Sequence, residues 1–130
     1  MASWEDVERL ALELPETAEV SSRGNRHWRV RDKSFVWERP LRGTDREALG
    51  ADAPDGPILG ARVEHPLAKE VLLADAPELY FTTPHFDGYP AVLVRLDAIE
   101  VEELRELVVE AWLARAPKRL ADAFLAGGEA

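Results

Sequence analysis

The stretch 27–38 constrains the fold more than any other part of this 130-residue sequence. Its first half alternates: Trp28 and Val30 share one side, and His27, Arg29 and Arg31 form a row on the other, as in a strand with one buried face. The segment 23–26 before it predicts a turn, the pair Asp32-Lys33 suits a tight turn, and the run 34–38 is rich in residues that favour strands. The stretch therefore predicts a β-hairpin whose apolar face needs other elements to cover it.

Helix and strand patterns surround this hairpin in a definite order. A first helix begins at Ser3, a good capping residue, and is stopped by Pro15. Further strands are predicted at 19–22, 58–63, 78–83 and 91–96, and further helices from Pro66, from Asp97 to about 115, and at 118–125. This order predicts an α+β two-layer sandwich, with an antiparallel sheet of about five to six strands and the helices packed on one face.

The chain has the size and composition of one domain, and we predict that residues 1–130 form it. The segment 40–57 holds three Pro, three Gly and several acids. It predicts an acidic loop insertion with at most one helical turn, at 45–49. The last residues, 126–130, include two glycines and predict a frayed tail.

Cysteine is absent, which excludes disulfides, thiolate metal ligands and a cysteine nucleophile. The three histidines, His27, His65 and His85, lie in different predicted elements, and no Gly-rich phosphate loop is present. We therefore expect neither a metal nor a cofactor. The first residues lack the pattern of a secretory signal and no apolar run is long enough to span a bilayer, so we expect a cytoplasmic protein without a membrane partner.

Charge is distributed unevenly along the chain. The whole chain carries −9, whereas the segment 23–42, which we call the basic hairpin, holds seven Lys or Arg and two acids and carries +5. Such asymmetry is a physical indication of the partners a protein can bind.

Several motifs in fixed order resemble the MmcQ/YjbR family. They are the segment 14–19 (LPETAE), the pattern Trp28-x-Val30-x-x-Lys33-x-Phe35, the segment 77–86 (PELYFTTPHF) and the segment 92–97 (VLVRLD) before a long helix. The resemblance covers nearly the whole chain, although the acidic loop 40–57 is longer than the family pattern leads one to expect.

This resemblance implies a fold like that of type III secretion chaperones. It also implies DNA binding, because the family is often labelled as binding DNA through a "double wing" of hairpins. It suggests no substrate and no cofactor.

Two functions follow for the basic hairpin. The first is weak, sequence-nonspecific binding of DNA or another nucleic acid, because Lys and Arg contacts to phosphates supply most of the affinity of such complexes. Its candidate residues are Arg23, Arg26, His27, Arg29, Arg31, Lys33, Arg39 and Arg42. The second is a protein-interaction or chaperone-like module that binds a partner protein or its own copy, with the hairpin cations paired to the chain's own acids.

A further candidate pocket contains Tyr80, His85 and Asp87. A histidine near a carboxylate can act as a general base in a hydrolase-type site. The sequence offers no obvious nucleophile or oxyanion hole beside it, so we expect no enzymatic activity.

Overall fold

The predicted hairpin is the centre of a three-stranded antiparallel meander in the computed structural model, which describes residues 1–127. Its strands are β1 (Thr17–Ser22), β2 (Asn25–Val30) and β3 (Lys33–Glu38). His27 of β2 lies opposite Trp37 of β3. Three later strands complete the sheet: β4 (Ile58–Arg62), β5 (Tyr80–Phe81) and β6 (Ala91–Arg95).

All neighbouring strands are antiparallel, and the six-stranded sheet has the order β1-β2-β3-β4-β6-β5. The helices are α1 (Trp4–Leu12), α2 (Gly43–Leu49), α3 (Pro66–Asp75), α4 (Val101–Arg115) and α5 (Lys118–Leu125). This arrangement confirms the predicted α+β sandwich. None of the helices in the described chain is long and apolar enough to cross a membrane.

The main core lies between one face of the sheet and the helices α1 and α4. Trp28 is fully buried there and its ring stacks on that of Trp4, with the centroids 6.3 Å apart. Trp112 of α4 is also fully buried, and its Nε1 donates a hydrogen bond to the carbonyl of Pro15. The apolar faces of α1 and α4 therefore cover the apolar face of the hairpin and remove it from water.

A bulge in β3 adjusts the hairpin to this core. Trp28 pairs with Val36 while Arg29 pairs with Ser34, which leaves Phe35 as the extra residue on β3. Both Phe35 and Val36 are fully buried, although consecutive residues of a regular strand point to opposite faces.

A smaller core covers part of the opposite face. It contains Ile58, Phe81, Phe86 and Leu93, with Trp37 packed against it. The helix α2 and the short turn at 84–86 lie over these residues. The segment 40–57 is therefore more regular than the predicted loop, because α2 begins at Gly43 and a 3-10 turn follows at 50–52.

The turns of the basic hairpin differ from those predicted. The chain reverses at Arg31-Asp32 rather than at Asp32-Lys33, so that Lys33 already belongs to β3. The first turn is confined to Arg23-Gly24, and Arg26 lies within β2. Of the predicted tail 126–130, Ala126 and Gly127 form a turn after α5, and residues 128–130 lie outside the described chain.

Candidate functional site

The seven cations of the basic hairpin divide into a paired and an unpaired group. Three of them form ion pairs with acids of this chain. The pairs are Arg26 with Glu38 and Glu19, Arg31 with Glu16, and Arg39 with Asp45. Within residues 1–127, the other four have no carboxylate at ion-pair distance, and they are Arg23, Arg29, Lys33 and Arg42. The sequence left two alternatives open for the hairpin cations: pairing with acids of the chain, or availability to a partner. Each alternative therefore describes part of the basic hairpin.

The predicted outward row of His27, Arg29 and Arg31 keeps its first two members. Trp28 and Val30 are fully buried on the helix side, so His27 and Arg29 point to the other face. Arg31 is not in this row, because it occupies the turn with a φ of 57°. Its backbone N–H donates to the carbonyl of Glu16, and its Nε lies 2.7 Å from the Glu16 carboxylate.

Arg26 is also removed from the candidate surface. It lies on the Trp28 side of β2, with its guanidinium carbon 5.2 Å from the centre of the Trp28 ring. The Glu38 carboxylate accepts hydrogen bonds from both the backbone N–H and the Nε of Arg26. This contact neutralises Arg26 and Glu38 together.

Two of the unpaired cations, Arg23 and Arg42, border a large cleft, which we call the hairpin cleft. Its volume is about 660 Å³. One wall is the Arg23 end of the basic hairpin, and the other is the segment 85–89 between β5 and β6. It is lined by Ser22, Arg23, Asn25, His27, Trp37, Glu38, Arg39, Arg42, His85, Phe86, Asp87, Gly88 and Tyr89. The fold thus brings the two predicted site segments, the basic hairpin and His85 with Asp87, to one place.

Two aromatic rings form part of the hairpin wall. The rings of His27 and Trp37 are nearly parallel, 10° apart, with centroids separated by 6.4 Å. The Trp37 indole lies directly over Gly60 of β4, where a Cβ atom would overlap it. Burial lowers the pKa of His27 below its ordinary value, and the nearby Arg29 charge lowers it further while Glu38 opposes the shift. This shift favours the neutral form of the His27 ring near pH 7.

A buried ion pair supports the base of the cleft. The side chains of Arg39 and Asp45 are 8% and 3% exposed, and Arg39 Nη2 lies 3.1 Å from Asp45 Oδ2. This contact is an ion pair without the alignment of a hydrogen bond, because Nη2 makes none within the described chain. Asp45 also accepts the backbone N–H of Arg42 at the start of α2. Burial alone would raise the pKa of Asp45, but this N–H and the Arg39 charge lower it overall.

A second buried cation holds the opposite wall. The Nζ of Lys69, a residue of α3 that is 7% exposed, donates to the carbonyls of Phe86 and Tyr89 at 2.7 and 3.0 Å. Burial lowers the pKa of Lys69, and the charge of Asp87 opposes that shift. The segment 85–89 is therefore fixed from inside by an ammonium group that also attracts Asp87.

Comparison with family models matches residues 12–114 to YjbR. The chain belongs to the YjbR family. It is 57% identical over 129 residues to the uncharacterized protein Rv2570 of Mycobacterium tuberculosis, covering 97% of this chain and 98% of that one. The uncharacterized protein Mb2600 of Mycobacterium bovis matches equally well. The range matched to YjbR contains the basic hairpin and both walls of the cleft.

A solved structure agrees in fold with this YjbR chain. The crystal structure of Deinococcus radiodurans protein DR2400, which has a DUF419 domain, superimposes with a TM-score of 0.64 at 22% sequence identity. The match covers 87% of this chain and 78% of the other. At this identity it supports the fold of the YjbR chain alone.

The three residues of the other predicted pocket do not stay together in the YjbR fold. Tyr80 faces the helix side of the sheet, where its hydroxyl donates to Glu103 at 2.7 Å and burial raises its pKa. His85 and Asp87 line the hairpin cleft instead. Within residues 1–127 the His85 side chain makes no hydrogen bond, and its ring meets Phe86 edge-on. No group of three or more His, Asp or Glu side chains in this range is placed to hold a metal.

Sequence reasoning missed Lys69 and Tyr89 as parts of this site. Lys69 had one usable signal in the sequence, its position one helical turn after the capping residue His65. The structure shows that its side chain faces inward there. Tyr89 had none, since a tyrosine in a turn is equally typical of core packing.

Proposed function

We propose that this YjbR domain binds nucleic acid weakly and without sequence preference, through the four unpaired cations of the basic hairpin. The observation that carries the proposal is that these four cations lie within one segment of 20 residues and have no ion-pair partner within residues 1–127, in a chain with 25 acids and 16 bases. Acids are abundant enough to pair every cation. Charges that stay unpaired under such conditions are suited to an external anion.

The positions of these cations favour phosphate contacts. Arg23 and Arg42 border the hairpin cleft, and Arg29 lies on the same face of β2 as His27. Lys33 lies at the opposite end of the hairpin. The Nε of Arg29 is buried without a hydrogen-bond partner in the described chain, so any phosphate contact of Arg29 would have to use its other guanidinium nitrogens. Contacts of this kind neutralise a phosphate backbone and do not read bases.

The number of cations sets the expected salt dependence. Four phosphate contacts give a slope of about −3.6 in a plot of log affinity against log salt for duplex DNA, and about −2.8 for a single strand. Affinity for duplex should thus fall roughly 150-fold between about 50 and 200 mM salt. The net charge of −9 repels polyanions over the remaining surface, which keeps the affinity weak.

Titration of fluorescently labelled DNA at several salt concentrations tests the proposal. We expect binding at about 50 mM salt, with the slopes given above. Replacing Arg42 by Ala should reduce the slope by about 0.9 on duplex. The matched control is Arg31→Ala, which removes the same charge from the same hairpin but from a residue already paired with Glu16. The proposal fails if no binding occurs at low salt, or if the two variants lose affinity equally.

We also propose that this binding is not catalytic. Within residues 1–127, no hydrogen bond orients the His85 ring. This supports its interpretation as a surface residue rather than a general base. Because nucleic acid is the proposed ligand, we place the protein in the cytoplasm. Incubation of the bound DNA with divalent cations should leave it uncut, and cleavage abolished by His85→Ala would refute this part of the proposal.

A second candidate function is docking of a partner protein on the helix side. Leu67 and Val71 of α3 are 61% and 49% exposed and one helical turn apart. Another residue of α3, Leu72, lines a groove toward α4, whose lining includes Glu103, Glu106 and Glu110. An apolar segment with flanking cations, from another protein or a second copy, would complement it. Light scattering tests the second copy: a monomer at all concentrations would exclude self-association, and a dimer abolished by Val71→Ser would support it.

A further inference from the structure

The hairpin cleft has properties that phosphate binding alone does not explain. Its volume of about 660 Å³ lies in the range of pockets that hold small ligands. Its lining combines cations with the rings of Trp37, Tyr89 and two histidines. Surfaces that only track a phosphate backbone need the charges and have no use for the rings.

We propose that the hairpin cleft holds one unstacked nucleotide of a single-stranded nucleic acid, with the base against Trp37 and the phosphate between Arg23 and Arg42. This inference rests on the proposed nucleic-acid binding and adds a preference for single strands. A base inside a duplex is stacked and paired, and it can enter a pocket only after it has been extruded from the helix.

The aromatic wall is already arranged to receive a base. The Trp37 ring cannot move toward the sheet because Gly60 lies directly beneath it, and His27 lies nearly parallel to it. Tyr89 on the other wall is held by Arg62, whose Nη1 donates to its hydroxyl at 3.0 Å. Rings fixed in this way lose little conformational entropy when a base stacks on them.

Two arginines of the cleft remain available to bind a phosphate, because the other charged side chains of the hairpin wall are paired. Glu38 is occupied by Arg26, and Arg39 by Asp45. Asp87 acts on the buried ammonium of Lys69. Arg23 and Arg42 are therefore the unpaired cations of the lining, and an anion that approaches the hairpin wall meets a net positive charge, whereas Asp87 lies on the other wall. An uncharged base would occupy the remaining, aromatic part.

The test compares a labelled oligothymidylate of about ten nucleotides with a duplex of the same length, because this span is typical of single-strand binding sites. The wild-type protein should bind the single strand more tightly. Trp37→Leu should lower single-strand affinity about five- to hundredfold, the usual effect of losing one base stack, and should change duplex affinity far less. Trp37→Phe should retain most of the single-strand affinity.

A measurement on the unaltered protein covers the case in which Trp37→Leu fails to fold. An oligothymidylate in which 5-iodouracil replaces the bases is irradiated in the complex, and the cross-linked peptide is mapped. We expect the cross-link at Trp37, His27 or Tyr89. A cross-link outside the cleft would overturn the inference.

The remaining outcomes separate the two proposals. Duplex binding with no preference for the single strand would overturn the nucleotide pocket and leave the proposed function standing. Binding of neither form would overturn both. Thymidine monophosphate provides the third probe: it should compete with the oligomer only at much higher concentration. Tighter binding of the monophosphate than of the oligomer would assign the cleft to a free nucleotide and refute a strand as its ligand.

Discussion

The buried pair of Arg39 and Asp45 should be the most sensitive charged contact of the fold. Replacing Asp45 by Asn preserves its size and an oxygen that can accept the Arg42 N–H, so that it removes little except the charge. The Arg39 guanidinium would then remain buried without a counter-charge. Removing one partner of such a pair costs about 3–5 kcal/mol in other proteins, and the exposures of 8% and 3% put this pair in that class.

Urea denaturation followed by circular dichroism measures this cost. With a slope of about 2 kcal/mol per molar urea, the midpoint of Asp45→Asn should lie about 2 M below that of the wild type. The double variant Arg39→Met with Asp45→Asn removes both charges, and it should lose much less than the two single variants together. Arg31→Ala breaks an exposed pair and serves as the control, with little expected change in the midpoint.

The same pair should respond to acid in a defined direction. The pKa of Asp45 is lowered in the folded chain relative to its ordinary value of 3.8. Its contribution to stability is therefore complete above pH 3.8 and is lost as the pH falls through the folded pKa. The difference between wild type and Asp45→Asn should shrink below this pH. A difference under about 1 kcal/mol at pH 7, or additive single losses, would refute the assignment of a tightly coupled buried pair.

Three further predictions concern the two faces of the sheet. Gly60→Ala should lower the unfolding free energy by about 1–3 kcal/mol in urea denaturation, because its methyl group would overlap the Trp37 indole; a neutral result would show that the indole can move. Wild-type stability should decline as the pH falls below 6.5, because His27 is protonated more readily in the unfolded chain than in the folded chain. In a pH series of melting curves, His27→Gln should lack this part of the pH dependence. Tyr80→Phe should cost about 1–2 kcal/mol through the lost hydrogen bond to Glu103 and leave DNA affinity unchanged; a loss of affinity would place the binding surface on the helix side.

The hairpin and its surroundings were predictable because their patterns are local. Alternation around Trp28 and Val30 depends only on the two-residue period of a strand, and both residues are buried as expected. The capping of α1 by Ser3 is equally local, since its hydroxyl accepts the N–H of Asp6 three residues later. The order of helices and strands then favoured one antiparallel sheet with helices packed on it.

Turn positions were less predictable, because they depend on contacts across the sheet. Asp32-Lys33 has the better local turn chemistry, yet the chain reverses one residue earlier, with Arg31 in the left-handed region. Arg31 contacts Glu16, the residue just before β1. These contacts offset the free-energy cost of the left-handed conformation of Arg31.

The grouping of the cations in one segment is visible in the sequence, because charge density along a chain is a matter of composition. Which of these cations are available depends on the folded chain. The acids that pair with Arg26, Arg31 and Arg39 come from different elements, and ion pairing acts over only a few ångströms, so that sequence distance says nothing about it. The same is true of the cleft, whose two walls lie more than forty residues apart in the chain and meet only because β6 pairs with β4 beside the hairpin.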